Sequence, residues 1–468
     1  MTGIRLSRGH ALVWILCLAS LAVGARNFEL GLSVDAPVYA SIARHMVKSG
    51  DWFYMYGGVP DFMPFAEHPH LGFWMIASCF KVLPIADWSA RIPGHLFYVG
   101  FLFVFFLYLR EVAGQKSAIW AVLLLWSWYR FANFFSNVYL DPGALFFGSS
   151  AIFALDLAFR RVSAGWALVS GIALGLCVMD KGAVIVGFLP VMGLIAVLGF
   201  RKAPLLIVIP VLVAAAVFSL YAGAIHWSSV PDFITRYFSN QLGKRVGGGW
   251  QWSRLVEWKF WKGLCQDTNW FAPLVVFSVI DGFRRREVWM ALLLLVPFLT
   301  IYACEGLWGH QYWLTVLPWV AWLLAEEMGK RIPWDPARAV VPTAALALVL
   351  MFIAQYAPIR THGVMPPAET ARAHTLLEAQ HRHHFIVDNF PAETNVGQSG
   401  VYAWYVGDVQ YPRSLGYIPA ADDDTLLLTL NPPDRVRRDK IAAAGWCPDT
   451  EAQGRQLWVP CLSSQFDR

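Results

Sequence analysis

The chain has 468 residues, 57% of them hydrophobic and 15% charged, with a mean hydropathy of +0.46. A soluble domain carries about 25% charged and under about 50% apolar residues, so a soluble multidomain enzyme is excluded. Residues 1–356 carry 27 Lys and Arg against 19 Asp and Glu, whereas residues 357–468 carry 10 against 13. A basic membrane part is thus followed by a mildly acidic soluble part, and no compact basic patch with interleaved aromatics points to a nucleic-acid partner.

Roughly 20 mainly apolar residues span a bilayer core. Leu12–Ala25, after Arg5 and Arg8, has the core length of a signal peptide, but Ala22-Val23-Gly24 is a poor cleavage site, so an uncleaved first span is expected. Further apolar runs near 92–109, 117–135, 142–159, 164–179, 183–199, 203–225, 267–281, 288–304, 311–325 and 339–356 bring the expected total to eleven spans. The run Leu71–Pro84 is only 14 residues long and contains Lys81. If it crossed, every later span would invert. Without that crossing, Arg110/Lys116, Arg160/Arg161, Arg201/Lys202, Arg284–Arg286 and Lys330/Arg331/Arg338 share the cytoplasmic side with Arg5 and Arg8. The segment 71–84 is therefore expected to lie in the interface or to re-enter.

This topology leaves two long external loops, 27–91 and 226–266, and an external tail. In the tail, Pro, Gly and Asp clusters surround short apolar stretches such as Phe385–Val387 and Thr425–Leu430. It reads as a small α/β domain. The expected division is a transmembrane domain over 1–356 and an external soluble domain over 357–468. Cys447 and Cys461 are the only cysteines of that tail, and a disulfide between them is expected in an oxidising compartment. There is no CxxC motif to support zinc or thioredoxin-type chemistry.

Charge close to a membrane is costly and marks function by default. On the external side the topology gathers Asp35, Glu67 with His68 and His70, Asp141, Asp180-Lys181, Glu305 with His310, and Arg236, Lys244 and Arg245 of the second long loop. Plainer readings stand beside this one. Asp35 and Asp141 each suit a helix N-cap, and Pro37 suits a first turn. Lys181-Gly182 suits a helix C-terminus. Glu67-His68-Pro69-His70 suits a solvated polar turn, and its spacing is a weakly specific metal signal. After Asp35, residues Val38, Tyr39, Ile42 and Met46 fall on one helical face, with Arg44, His45 and Lys48 off it.

Taken in order, Asp35-Ala36-Pro37-Val38-Tyr39, Ser49-Gly50-Asp51-Trp52, Glu67-His68-Pro69-His70-Leu71, Ala90-Arg91-Ile92-Pro93 and Asp180-Lys181-Gly182 resemble the motifs of GT-C glycosyltransferases. The group resembled is the protein O-mannosyltransferase and lipid A aminoarabinose-transferase type, glycosyltransferase family 39-like. The likeness is good over about 10–200 and loose over 200–356. It implies transfer of a sugar from a polyprenyl-phosphate carrier to a lipid, glycan or protein acceptor on the external face, in a polytopic membrane protein among bilayer lipids. By the same resemblance Asp35 would activate the acceptor, Asp141 would help position it, and Lys181 would meet the carrier phosphate. Arg245 and His68 are further phosphate candidates, and Tyr39, Glu67, His70, Arg91, Asp180 and His310 complete the candidate site. A divalent metal is implied through Glu67, although the loop segment Arg236–Arg245 lacks the histidine that would be its partner. His68 stands where those enzymes have Lys, and His70 where they have a second Pro. The competing class is a transporter or lipid flippase, against which stand the one-sided charges and the absence of an internal repeat. A non-catalytic scaffold would leave the convergence of charge without a reason.

Overall fold

In the computed structural model the described residues are 32, 35–56, 65–127, 138–199, 203–239, 280, 315, 317–333, 345, 349, 384–388, 409–410, 425–429, 435–452 and 455–461. The helical part runs α1 (Ala36–Ser49), α2 (Leu71–Val82), α3 (Asp87–Val112), α4 (Gln115–Ser127), α5 (Asp141–Arg161) and α6 (Ala164–Lys181). A 3-10 segment (Gly182–Gly187) follows, then α7 (Leu189–Gly199), α8 (Leu205–His226), α9 (Phe233–Tyr237) and α10 (Leu317–Arg331). The tail contributes β1 (His384–Asp388), β2 (Val409–Gln410), β3 (Thr425–Thr429), α11 (Arg435–Ala443), β4 (Trp446–Ala452) and β5 (Arg455–Pro460).

Among the described residues four helices, α3, α5, α6 and α8, are long and apolar enough to cross a membrane. α2 has 12 residues. At 1.5 Å per residue that is about 18 Å, short of a hydrocarbon core of about 30 Å. The expected spans at 12–25, 267–281, 288–304 and 339–356 lie wholly or almost wholly outside the described residues. The expected span at 183–199 differs from a simple helix. Gly182, at φ 55, ends α6, a 3-10 segment follows, and α-helix resumes only at Leu189 with Pro190 in its first turn.

The chain divides into two compact units. The first comprises Met1–Asn27, Ala66–Met75 and Arg91–Arg360; the second comprises Phe28–Phe65, Ile76–Ala90 and Thr361–Arg468. In the first unit, α5 and α6 form a hairpin turned at Val162 and Ser163, and the Ser163 hydroxyl accepts the Trp166 amide at 3.4 Å. α6 packs closely on α8. A Cβ on Gly171 would lie 2.8 Å from the Pro210 carbonyl oxygen, and one on Gly175 would lie 2.7 Å from Val217, so glycine is what permits the approach. The core runs through α3, α4, α5, α6 and α10, with Phe101, Phe105, Trp126 and Trp319 fully buried. At the Arg160 end of α5, Asp156 accepts from Tyr108 Oη at 3.0 Å and from Arg160 Nε at 2.5 Å, while Arg161 pairs with Glu111 at 2.9 Å.

In the second unit, α1 carries Pro37 in its first turn and stops at Gly50, φ 75, whose amide donates to the Met46 carbonyl. Val38, Tyr39, Ile42 and Met46 are buried and Lys48 is exposed, as the amphipathic spacing predicts. The Ser-Gly-Asp-Trp motif is a stop-and-turn device. Ser49 Oγ donates to the His45 carbonyl at 2.8 Å and accepts the Asp51 amide at 3.2 Å. Asp51 Oδ1 in turn accepts the amides of Phe53 and Tyr54 at 2.9 and 3.1 Å. Lys81 Nζ lies 5.7 Å from the Trp52 ring centroid.

The tail forms a five-stranded sheet of order β2-β1-β3-β5-β4. β1 is parallel to β2 and β3, and β5 is antiparallel to β3 and β4. The apolar stretches singled out at 385–387 and 425–430 supply β1 and β3. Leu427, Ile441, Trp446 and Trp458 make the core of the sheet with α11. Cys447 and Cys461 are joined as a disulfide, with Cα atoms 5.1 Å apart.

Candidate functional site

The site is built at the end of the α5–α6 hairpin where α5 begins and α6 stops. Asp141 is the first residue of α5 and not its N-cap; that position belongs to Leu140, which makes no side-chain cap bond. The cap role read for Asp141 therefore does not hold. Its Oδ2 accepts from Lys181 Nζ at 2.5 Å, and both side chains are only 5% exposed. The hairpin returns the chain to its starting level after 40 residues, so the two candidates form one buried ion pair. Lys181 is thus more than a C-terminal residue that complements the helix dipole.

Asp180, beside this pair, is completely buried. Among the described residues neither of its carboxylate oxygens has a hydrogen-bond partner, and the same is true of Asp141 Oδ1. The carboxylate fits against two glycines. A Cβ on Gly143 would come within 2.6 Å of Asp180 Oδ2, and one on Gly72 within 2.9 Å of Oδ1.

The stretch leading into α2 closes over the same end. The solvated turn expected at Glu67–His70 is instead buried: His68 is 7% exposed, His70 is 0%, and Glu67 is half-buried. His70 Nδ1 is 2.7 Å from the Tyr221 hydroxyl of α8. The imidazole also stands edge-on to Phe233 of α9, with ring centroids 4.5 Å apart. Gly182 lies between Tyr237 and Pro69. A Cβ there would overlap the Tyr237 hydroxyl and sit 3.3 Å from Pro69 Cγ. Segment 67–72, the start of α5, the end of α6, α8 and α9 therefore converge.

Tyr221 and Tyr237 were not marked by the sequence reading. Tyr221 sits near the end of a strongly apolar helix, and a phenol in such a place is the signal that could have pointed to it. Arg91, near the start of α3, is buried at 3% exposure. Asp35 and Tyr39 belong to the second unit. Asp35 does occupy the N-cap position of α1, but its side chain makes no cap hydrogen bond. Arg245 and His310 lie outside the described residues. Among the described residues no group of three His, Cys, Asp or Glu side chains gathers to hold a metal, so Glu67 has no donor set there.

Residues 67–227, which include Asp141, Asp180 and Lys181, match the family described as dolichyl-phosphate-mannose-protein mannosyltransferase. Over 155 residues the chain is 29% identical to the undecaprenyl phosphate-alpha-4-amino-4-deoxy-L-arabinose arabinosyl transferase of Edwardsiella ictaluri. That alignment covers 32% of this chain and 27% of the relative, a little over a quarter of its length. In fold the chain is similar to ArnT from Cupriavidus metallidurans bound to undecaprenyl phosphate, with a TM-score of 0.71 and 14% identity over 97% of this chain and 98% of that one. It is similar at a lower level to the apo oligosaccharyltransferase of Archaeoglobus fulgidus, with a TM-score of 0.52 and 11% identity over 90% of this chain and 66% of the other. The fold is similar to that of ArnT and residues 67–227 to a glycosyltransferase family, in agreement with the GT-C class that the motifs resemble. Within that class the likeness is to the mannosyl- and aminoarabinosyl-transferase type.

Proposed function

We propose that the protein transfers a sugar from a polyprenyl-phosphate carrier to a lipid, glycan or protein acceptor at the external face of a bacterial inner membrane. The observation that carries this reading is the buried Asp141–Lys181 pair within the segment that matches the family, with Pro69 and Tyr237 packed at the adjacent Gly182. It is supported by a fold similar to a structure that holds undecaprenyl phosphate. In the reaction the bond between the sugar's anomeric carbon and the phosphate oxygen breaks, and a bond from that carbon to the acceptor forms. The acceptor's proton passes to a carboxylate, and polyprenyl phosphate leaves.

A phosphate-linked carrier is a good leaving group and needs little general acid. Catalysis then depends on cations fixed where negative charge develops, in a water-poor site. Lys181 is assigned that role with Arg245 and His68; its bond to Asp141 holds the ammonium in place before the donor arrives. Asp35 takes the acceptor proton and Asp141 helps to orient the acceptor. Tyr39, Glu67, His70, Arg91, Asp180 and His310 support these groups. The positive-inside bias puts the Arg160–Arg161 end of α5 in the cytoplasm and the Asp141 end outside, with eleven spans in all and the domain 357–468 in the periplasm.

The test is transfer by the purified protein in nanodiscs, using radiolabelled polyprenyl-phosphate hexoses and pentoses with envelope lipids and proteins as acceptors. Label is expected to move to an acceptor as polyprenyl phosphate is released. Absence of transfer from every donor, with the protein shown to be folded, would overturn the proposal. Cysteines introduced over 110–116 should be labelled only from the cytoplasmic side, and labelling from outside alone would invert the topology.

A further inference from the structure

We infer that Asp180 is a positioning residue: packed from the last turn of α6 against the first turn of α5, its carboxyl group faces the open N-terminus of that helix and thereby sets the Asp141–Lys181 pair. The first N–H groups of a helix have no partner within it and need one from elsewhere. α5 lacks the ordinary local solution. Leu140 at the N-cap has no capping side chain, Asp141 is engaged by Lys181, and Pro142 has no N–H to donate. The Ala144 amide reaches the Leu140 carbonyl at 3.2 Å.

Against this turn lies the carboxyl group of Asp180, fully buried and seated on Gly143 and Gly72. A carboxylate is favoured at the positive end of a helix dipole and is the side-chain type that caps it. The contact requires glycine at 143, since a Cβ there would lie 2.6 Å from Oδ2 and 2.8 Å from Cγ.

Geometry links this contact to the pair. Asp180 is one residue before Lys181, and Gly143 is two residues after Asp141. Seating Asp180 on Gly143 therefore fixes the height of the end of α6 against the start of α5, at the level where Nζ meets Oδ2. The inference rests on the transfer reading only where Lys181 is taken to contact the donor phosphate, and its main test does not use that contact.

The test is the coupling between Asp141 and Lys181, measured as a thermal-unfolding double-mutant cycle of Asp141→Asn and Lys181→Met. The cycle is repeated in Asp180→Asn, Asp180→Thr and Asp180→Val backgrounds. Thr and Val share a shape and differ in the side-chain oxygen, so the comparison stands even if a smaller replacement fails to fold. Asn and Thr are expected to preserve the coupling and Val to abolish it, whereas a residue that merely adds stability would lower every Tm and leave the coupling intact. Gly143→Ala should also weaken the coupling, and its combination with Asp180→Val should fall short of the summed effects. In a second readout, polyprenyl phosphate binding in nanodiscs, Lys181→Met should weaken affinity roughly tenfold to a hundredfold in the wild-type background, the scale of one charge-assisted contact, and little further beside Asp180→Val. Full coupling in Asp180→Val, or loss of coupling in Asp180→Asn equal to that in Val, would overturn the inference. If wild-type protein binds no polyprenyl phosphate the transfer reading fails, and the unfolding cycle still decides the role of Asp180.

Discussion

The hydroxyl of Tyr221 meets His70 twice across 151 positions of sequence: it lies 2.7 Å from Nδ1 and accepts the His70 amide at 3.4 Å. One hydroxyl therefore ties the backbone of position 70 and its imidazole to α8, with the direction of the ring bond set by the imidazole tautomer. A proline at position 70, as in the motif that this segment resembles, could make neither bond. Tyr221→Phe removes the oxygen that both contacts share. The expected loss is about 1–3 kcal/mol, read as a lower Tm, with no loss predicted if the pairing is incidental.

The first-loop carboxylate is the next prediction. Asp35 holds the N-cap position of α1, a position that Asn fills about as well. Asp35→Asn should leave the protein folded and reduce transfer about a hundredfold, the scale of general-base catalysis. A wild-type rate in the same assay would remove Asp35 from the chemistry.

The buried ion pair predicts an asymmetry between single and double variants. Lys181→Ala strands a buried Asp141 carboxylate, and breaking a pair of this kind destabilises by about 3–5 kcal/mol. Asp141→Asn with Lys181→Met removes both charges and should be milder than Lys181→Ala alone. Thermal unfolding of the wild type, Lys181→Ala, Asp141→Asn, Lys181→Met and the double variant in one detergent checks the order, and additive effects of the two matching singles would show that the charges do not interact.

The tail disulfide predicts a redox effect confined to the sheet domain. Cys447 and Cys461 are 14 positions apart. A loop of about that length corresponds to about 3 kcal/mol in the chain-entropy account. Cys447→Ser with Cys461→Ser should therefore make β4 and β5 more open to proteolysis and hydrogen exchange. Protection equal to wild type would show that the bridge adds nothing to the folded domain.

Much of the architecture was legible because it depends on local properties. Hydropathy marks the long helices, and the shortness of 71–84 marks α2. Amphipathic spacing gives the buried face of α1, and alternating turn residues outline β1 and β3. The pair of tail cysteines was legible for the same reason, as it was the only pair available. Even the Ser-Gly-Asp-Trp turn follows from side chains that bond amides two and three residues away.

The sequence alone therefore determined that this is a membrane protein of several apolar helices with charged residues at the ends of some of them. Only the tertiary structure decided which of them meet. Local capping rules offered Asp141 to its own helix, whereas the α5–α6 hairpin turned it towards Lys181 and put Asp180 against the start of α5. The buried state of His70 likewise came from α8 and α9 closing over a segment that reads as a polar turn. The order β2-β1-β3-β5-β4 has the same origin, because parallel pairing of β1 with β3 joins strands that are distant in sequence. Pairing across a fold depends on helix lengths, crossing distances and the glycines that permit close approach, and these act between segments whose local sequences carry no record of one another.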